Sequence, residues 1–457
     1  MNRLGQFAAS SAKFGNPSSL SLNWQLKESI AVPICCGVLV AVAVAIRSWI
    51  MLAVLLAIPL VMLIPVEFAF GLLALAIYFD NLNPLGGTVT LSFLVAAVSG
   101  AVLLVATLAG ARLVNPPRAA SWFVLLFLWT MLSAFWAMDP KVSLERLPSL
   151  AALGALYLIA VSMRISEREF AWVTRLIVLG GCIASAVSMY QYAHGINVSD
   201  RASIVLGSVV TNPNDLAITM LLPLSITIGL VLSNRGITRA LSVVAAMLLL
   251  ACLILTMSRG GFVALGVLTA VYIYRKGFDW RLLAVVGLTV VAILFAPALL
   301  MTRMGEALTS RAQGRFDIWL VGFEVIKHHG LFGVGLDNFP LAFEKYAGHQ
   351  VVFRRFSLVP HNIYLQALAE TGVVGLFLLL GALRIQMKQV AGALREGGAR
   401  AAALLVPCEA AAWGVMTHAM VANVLWRKVF WFVWIMVALA VHLERRLQNC
   451  EGQTSPT

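Results

Sequence analysis

Long apolar runs recur along almost the whole chain, and the run from Leu282 to Leu300 contains no charged residue. A helix that crosses a bilayer needs ~20 mostly apolar residues, because ~30 Å of hydrocarbon is crossed at ~1.5 Å per residue. Every backbone amide must be bonded internally there. The runs do not alternate apolar and polar residues, as the strands of a membrane β-barrel do. The sequence therefore predicts an all-α, polytopic integral membrane protein.

The composition agrees with this class, since 61% of the 457 residues are hydrophobic and only 12% are charged. Soluble proteins carry roughly twice that charged fraction. The apolar runs predict ~12 to 14 transmembrane helices. Two of the C-terminal transmembrane helices are expected near Ile363 to Leu383 and Ala401 to Ala422. No long apolar run occurs in the sixty residues before these two helices, and we expect residues 301–360 to form one long periplasmic segment.

The formal net charge of +13 does not indicate a nucleic-acid-binding protein, because the basic residues concentrate in short loops between apolar runs. Lys and Arg are retained on the cytoplasmic side of a membrane, where lipid phosphates attract them. One set of alternate loops carries this bias and includes Arg164, Arg235, Arg275, Arg400 and Arg446. We expect this set and both termini to be cytoplasmic, and the other loops to face the periplasm from a bacterial inner membrane. Membrane lipids are therefore expected partners.

The expected regions are a cytoplasmic tail at 1–28, transmembrane helices at 29–200, a functional region at 201–383, and transmembrane helices with a cytoplasmic tail at 384–457. The first 28 residues have no short apolar segment followed by a cleavage pattern, so no cleaved signal peptide is expected. Five of the six cysteines lie in apolar segments, and Cys450 lies in the C-terminal tail. They are expected to be small core residues and not a disulfide set or a metal site.

Four polar motifs lie in the loops that are predicted to face outward. They are Asp200-Arg201 with Asn212-Pro213-Asn214-Asp215, Ser258-Arg259-Gly260-Gly261, Gly314-Arg315, and Pro360-His361-Asn362. Each motif also has an ordinary structural interpretation. Asn214 suits a turn or helix cap, Arg259 can reach lipid headgroups, Arg315 can be the solvated face of an amphipathic helix, and His361 can simply bond at a helix entry.

Taken together, the motifs place three arginines and one histidine on one side of the membrane. Arg201, Arg259 and Arg315 stay charged and present planar forks that match phosphate oxygens, while His361 can take a proton from a hydroxyl. The accessible polyanion at this surface is a lipid-linked phosphate or diphosphate. Arginines can stabilise a diphosphate leaving group without a metal, so neither a metal nor a cofactor is expected. A Gly-rich Lys loop for nucleoside triphosphates is absent from the sequence.

At these places the sequence resembles the O-antigen ligase and O-antigen polymerase superfamily. The resemblance rests on the Arg201 to Asn214 stretch, Ser258-Arg259-Gly260-Gly261, Gly314-Arg315 with Gly333-Val334-Gly335, and Pro360-His361-Asn362-Ile363-Tyr364-Leu365 through Glu370-Thr371-Gly372. It covers the catalytic region, roughly Arg201 to Leu380. One departure is the stretch from Ala202 to Thr211, which is more apolar than the family pattern.

The resemblance implies a membrane glycosyltransferase that takes a glycan from undecaprenyl diphosphate at the periplasmic face. Arg259 and Arg315 would then hold the diphosphate, and His361 would activate the acceptor hydroxyl for an inverting attack on the anomeric carbon. Arg201, Asn214, Asn362 and Gly260 would assist in substrate binding. Lipid A core is the favoured acceptor. A second lipid-linked glycan, as in a polymerase, and a protein hydroxyl, as in a protein O-oligosaccharyltransferase, remain alternatives.

A lipid-linked oligosaccharide transporter is the competing class, since it would also be polytopic, basic and arginine-lined. Transporters bind substrate near the membrane midplane, often beside broken helices. The midspan candidates in this chain are Glu409 and His418 on one predicted helix, whereas the arginines are predicted at the outer edge. The sequence therefore favours an enzyme. A noncatalytic scaffold is a third alternative, and it would tolerate alanine at His361.

Overall fold

The computed structural model describes residues 66–78, 99–100, 102, 114–197, 200–206, 209–277, 279–280, 287, 315–347 and 359–454. Within these residues the α-helices are α1 (Val66–Ile77), α2 (Arg118–Leu132), α3 (Pro140–Val161), α4 (Glu167–Ala193), α5 (Pro213–Ser233), α6 (Gly236–Leu255), α7 (Arg259–Lys276), α8 (Arg315–His329), α9 (Phe339–Tyr346), α10 (Ile363–His418) and α11 (Lys428–Thr454). Strands β1 (Val205–Leu206) and β2 (Val209–Val210) form a small antiparallel hairpin.

Among the described residues, six segments are long and apolar enough to cross a membrane, which supports the predicted class of an all-α membrane protein. They are Arg118–Phe135, Pro140–Val161, Glu167–Ala193, Pro213–Ser233, Gly236–Leu255 and Ile363–Val421. The predicted tail at 1–28, most of the predicted N-terminal helices, and most of the Leu282 to Leu300 run lie outside the described residues. The total of ~12 to 14 helices and the periplasmic position of 301–360 stay predictions.

Helix α10 is a helical hairpin and not a single straight rod. Tyr364 Oη donates a 3.4 Å hydrogen bond to the carbonyl oxygen of Met416, 52 positions later. In a straight helix these residues would be ~78 Å apart. The chain reverses at Gly398, which has φ 62° and ψ −146°. The two arms correspond to the two helices predicted here, but the first also has a non-helical residue at Gly372, where the sequence predicted a continuous helix.

Three segments that carry predicted cytoplasmic arginines meet at one end of the bundle, which we call the basic end. There Arg446 Nη1 donates to Ile165 O at 3.2 Å, and Arg400 forms a 3.3 Å ion pair with the buried Glu444. These contacts join the α3–α4 connection, the α10 reversal and the C-terminal part of α11. The cytoplasmic position of these segments stays a prediction.

The motifs that are predicted to face outward gather at the opposite end, which we call the motif end. Ser143 Oγ near the start of α3 donates to Leu336 O at 2.8 Å, and Arg427 before α11 pairs with Asp215 of α5 at 3.2 Å. Helices α2, α3 and α11 run from one end to the other. An aromatic cluster unites them in the core, since the ring of Phe123 lies 5.3 Å from Tyr157 and 5.2 Å from Trp431.

Candidate functional site

Two helix N-termini and the entry to a third bring the predicted catalytic residues together at the motif end. Arg259 is the first residue of α7, Arg315 is the first of α8, and His361 comes two residues before α10. A helix N-terminus carries a partial positive charge, so an arginine there is opposed by the helix dipole. The same amides and dipole favour a bound anion. The positive charges at these helix N-termini repel one another in the ligand-free protein, and a bound anion would relieve this repulsion.

The electrostatics of the site connect the three residues. Burial lowers the pKa of Arg315, and the nearby guanidinium of Arg259 lowers it further. Burial also lowers the pKa of His361 to about 4, with Arg315 adding to the shift. His361 is therefore neutral at pH 7 and can accept a proton, while an anion bound to Arg315 would relieve part of the shift.

In the described part of the chain, neither Arg259 nor Arg315 has a carboxylate partner within 4 Å. Other arginines of the bundle differ. Arg275 forms a bidentate pair with Glu409, with nitrogen–oxygen distances of 2.9 and 2.6 Å. Arg427 pairs with Asp215. Two adjacent cations that have no counter-charge among the described residues favour the binding of an external anion.

His361 is held in an unusual backbone conformation, with φ 48°. The carbonyl of Pro360 before it accepts a 3.0 Å hydrogen bond from Trp319 Nε1 of α8. Asn362 after it caps α10, since its Oδ1 accepts from the amides of Tyr364 at 2.9 Å and Leu365 at 3.1 Å. A left-handed histidine fixed from both sides is a local strain of the kind that clusters at functional sites.

Arg201 lies behind the turn that leads into α7. Its Nε donates to Thr256 O at 2.7 Å, and its Nη2 donates to Asn214 Oδ1 at 2.8 Å. These bonds tie the segment before β1 and the start of α5 to the residues just before Arg259. The structure thus gives Arg201 and Asn214 a supporting position, and their predicted substrate contacts remain a prediction.

Gly260 is required by packing in this structure. A Cβ at this position would lie 2.6 Å from Val421 Cγ2 and 3.5 Å from the imidazole of His418. The chain after α10 therefore packs closely on Gly260, and the predicted role of Gly260 in substrate binding stays a prediction. This packing brings the start of α7 against the end of α10, while the backbone amides of the α7 N-terminus remain the groups suited to an anion.

Two glycine motifs that are distant in sequence pack against each other beside the site. The amides of Val334 and Gly335 donate to Ala369 O and Glu370 O, both at 2.9 Å. A Cβ on Gly333 would collide with the backbone of Glu370. This contact explains why both turns are glycine-rich, and it anchors the chain that follows α8 to the first arm of α10.

Sequence reasoning assigned two residues of α10 to the midspan, and the structure corrects the position of one of them, His418. His418 lies at the motif end, where it is fully buried with Nε2 3.4 Å from Ser258 Oγ, and its ring is close enough to Arg315 to interact electrostatically. Glu409 is neutralised by Arg275. His418 thus belongs to the site, although nothing in its local sequence signalled this position.

Among the described residues, no group of three or more His, Cys, Asp or Glu side chains is arranged to hold a metal ion. His328 and His329 adjoin each other on α8, and His329 Nε2 lies 3.0 Å from Tyr346 Oη.

Residues 244–380 match the protein family described as O-antigen ligase. The matched range includes Arg259, Arg315, His361 and both glycine motifs, and it begins after Arg201 and Asn214. No curated protein matches the chain.

Proposed function

The chain belongs to the O-antigen ligase superfamily through its residues 244–380. We propose that the motif end is a glycosyl-transfer site whose donor is an undecaprenyl diphosphate-linked glycan. The family and the apolar helices make the chain a multi-pass membrane enzyme of the O-antigen ligase or polymerase type. The observation that carries the finer proposal is the convergence of Arg259 and Arg315, both without a carboxylate partner in the described residues, beside the neutral His361.

Arg259 and Arg315 bind the diphosphate of the donor in this proposal. Each guanidinium offers paired donors to phosphate oxygens, and the helix N-termini that carry them add a favourable dipole. When the bond between the anomeric carbon and the phosphate oxygen breaks, the electron pair leaves with the diphosphate. The two cations stabilise this developing charge, which is the electrostatic contribution that most lowers such barriers.

His361 accepts the proton of the acceptor hydroxyl. The hydroxyl oxygen forms a new bond to the anomeric carbon as the diphosphate leaves from the opposite side, so the anomeric configuration inverts. The low pKa of His361 keeps the imidazole neutral before the donor binds. Donor binding places negative charge beside Arg315, which raises the pKa of His361 and makes it a stronger base when it is needed.

The periplasmic face is the proposed location, because the loops at the opposite, basic end carry the arginines that favour the cytoplasm. Lipid A core is the favoured acceptor, since the chain from Arg315 to Tyr346 lies next to His361 and provides a surface that can cover a large acceptor. A second lipid-linked glycan or a protein hydroxyl would use the same site chemistry.

The transporter alternative has less support from this geometry. A midspan carboxylate that binds substrate should be accessible, whereas Glu409 is buried and paired with Arg275 at 2.6 Å. His418, the other midspan candidate, lies with the arginines at the motif end. The candidate substrate-binding side chains, namely Arg259, Arg315, His361 and His418, therefore lie at one end of the bundle, as expected for an enzyme that works at one membrane face.

The proposal is tested by transfer from undecaprenyl diphosphate-linked glycan with the purified protein in EDTA. Lipid A core, a second lipid-linked glycan and an acceptor protein are supplied in separate reactions. Product on lipid A core identifies a ligase, a lengthened lipid-linked glycan identifies a polymerase, and glycosylated protein identifies an oligosaccharyltransferase. Transport of the lipid-linked glycan across vesicles without product on any acceptor contradicts the proposed function.

A further inference from the structure

A second polar cavity opens at the motif end, beside the transfer site but lined by different residues. Its volume is about 300 Å³, at the lower end of the range for ligand-binding cavities. Arg146, Asp337 and Arg427 line its partly exposed rim, and Gln366, Asn423 and Trp426 line its interior. The mechanism described above uses none of these six side chains.

Three side chains that line the cavity each carry a buried hydrogen-bonding atom that lacks a partner in the described part of the chain. Gln366 is only 4% exposed, and its Oε1 has no hydrogen bond, although its Nε2 donates to Glu370 at 3.3 Å. Asn423 Oδ1 is likewise buried and unbonded there. The indole nitrogen of Trp426 lies near the Glu370 carboxyl group without completing a hydrogen bond. Rotation of these side chains toward a polar ligand in the cavity would form hydrogen bonds that the protein alone leaves unmade.

The charges at the rim are already neutralised within the protein. Arg146 pairs with Asp337 at 2.6 Å, and Arg427 pairs with Asp215 at 3.2 Å. With Glu370 also close to Gln366, a second anion would meet carboxylates here. This differs from Arg259 and Arg315, which have no such partners among the described residues, and it favours a neutral ligand.

The cavity also has an apolar lining. Leu150, Leu153 and Leu336 contribute it, and each is at most 9% exposed. A cavity lined by amides and an indole together with leucines matches a sugar ring, which has hydroxyl groups at its edge and C–H groups on its faces. A lipid tail would leave the amides unbonded, which is costly.

The position of the cavity relates it to the transfer site. Gln366 follows His361 by five residues along the same helix entry, a rise of ~7 Å. Asp215, which pairs with Arg427 at the rim, directly follows Asn214, the residue that holds Arg201. The cavity and the transfer site are therefore built from adjacent segments of the chain.

We propose that this cavity is a glycan subsite that binds a neutral sugar residue of the donor or the acceptor through Gln366 and Asn423. This inference rests on the proposed transfer function, since it names a subsite of the same reaction. It assigns sugar recognition to the cavity and leaves diphosphate recognition to Arg259 and Arg315.

Steady-state transfer by the full-length protein tests the subsite with Gln366→Leu and Asn423→Leu. The matched control is Gln386→Leu, because Gln386 is also a buried glutamine of α10 with an unbonded amide and does not line the cavity. We expect at least a tenfold rise in KM for one substrate in the two cavity variants and none in the control. A rise for the donor places the donor glycan in the cavity, and a rise for the acceptor places the acceptor there. Unchanged KM values for both substrates overturn the proposal.

Inorganic pyrophosphate is the second probe, because it competes at the arginines and carries no sugar. We expect its inhibition constant to be unchanged in Gln366→Leu and raised in Arg259→Ala. Loss of pyrophosphate inhibition in Gln366→Leu would make the cavity part of the anion site and would overturn a neutral-sugar subsite. If Gln366→Leu does not fold, Arg146→Ala at the 63% exposed rim replaces it, with the exposed Arg164→Ala as control.

Failure of the whole transfer function has a different signature. If the wild-type protein forms no product, thermal stabilisation by lipid-free oligosaccharide released from the host's lipid-linked glycan still tests the cavity. Stabilisation of the wild type that is lost in Gln366→Leu and kept in Gln386→Leu supports a sugar site without transfer. Equal stabilisation of all three proteins, or of none, overturns it.

Discussion

Ser258 Oγ lies 3.4 Å from His418 Nε2, although 160 residues separate them in sequence. Ser258 caps α7 by accepting from the Gly261 amide at 3.2 Å, so the contact joins the helix that begins at Arg259 to the end of α10. The orientation of Arg259 therefore depends on a residue far from its own motif. We interpret His418 as a positioning residue.

Replacing His418 tests this positioning role. We expect His418→Leu to lower kcat about tenfold, equivalent to ~1.4 kcal/mol, because Ser258 loses its neighbour and Arg259 is held less well. His418→Gln should retain most of the activity, since an amide can still bond Ser258. Steady-state kinetics with donor and acceptor varied in turn provide the measurement, and full activity in His418→Leu would contradict the role.

Arg259→Lys and Arg315→Lys separate the guanidinium fork from simple charge. Lysine keeps the charge but cannot make two parallel hydrogen bonds to a diphosphate. We expect each variant to lose ~10- to 100-fold in kcat/KM for the donor, since a hydrogen bond to a charged group contributes ~1.5–3 kcal/mol. Arg164→Lys at the basic end is the matched control. Unaltered kinetics in both site variants would rule out bidentate recognition.

The pH dependence of kcat/KM reports the state of His361 before the donor binds. Its pKa is lowered to about 4, so the neutral, active form persists as the pH falls and is lost only near that value. We expect kcat/KM to stay flat from about pH 8 to 5, and the acid limb of kcat to lie at higher pH because bound diphosphate raises the pKa. An acid limb of kcat/KM near the ordinary pKa of histidine would show that burial and Arg315 do not lower the pKa of His361.

Gly260→Ala tests the packing of α7 against the end of α10. The new methyl group would lie 2.6 Å from Val421 Cγ2, and we expect a loss of ~1–3 kcal/mol in stability. Gly266→Ala in the same helix is the control, since its Cβ would meet no atom within 4 Å and should slightly stabilise the helix. Thermal unfolding in detergent compares the two. Adding Val421→Ala to Gly260→Ala should restore stability, and equal unfolding temperatures for the single glycine variants would contradict the contact.

The sequence identified Arg259 between two apolar runs, Arg315 within the long outward segment and His361 at the end of that segment, and loop parity placed all three on one side. It identified the helices from the length of the apolar runs. The reversal at Gly398 determines where His418 lies, and no local pattern reports that a histidine in an apolar helix will meet Ser258. The partner of Glu409 was equally hidden, since Arg275 comes from another helix.

The sequence indicated that Gly260 permits a close approach but not which residue approaches, and the structure shows that Val421 packs there. Gln366 and Asn423 carry no recognisable signature, because an isolated amide in a helix or a turn is ordinary until its neighbours are known. Their common cavity depends on the packing of α3, α10 and the chain before α11.

The most direct test of the central claim separates donor binding from transfer in His361→Ala. Binding of undecaprenyl diphosphate-linked glycan to the purified protein is measured alongside single-turnover transfer to the acceptor that the wild type uses. We predict donor affinity within a few-fold of wild type and a transfer rate lower by ~10²- to 10⁴-fold, the usual contribution of a general base. A variant that transfers at the wild-type rate would contradict the assignment of His361 and, with it, the proposed transfer site.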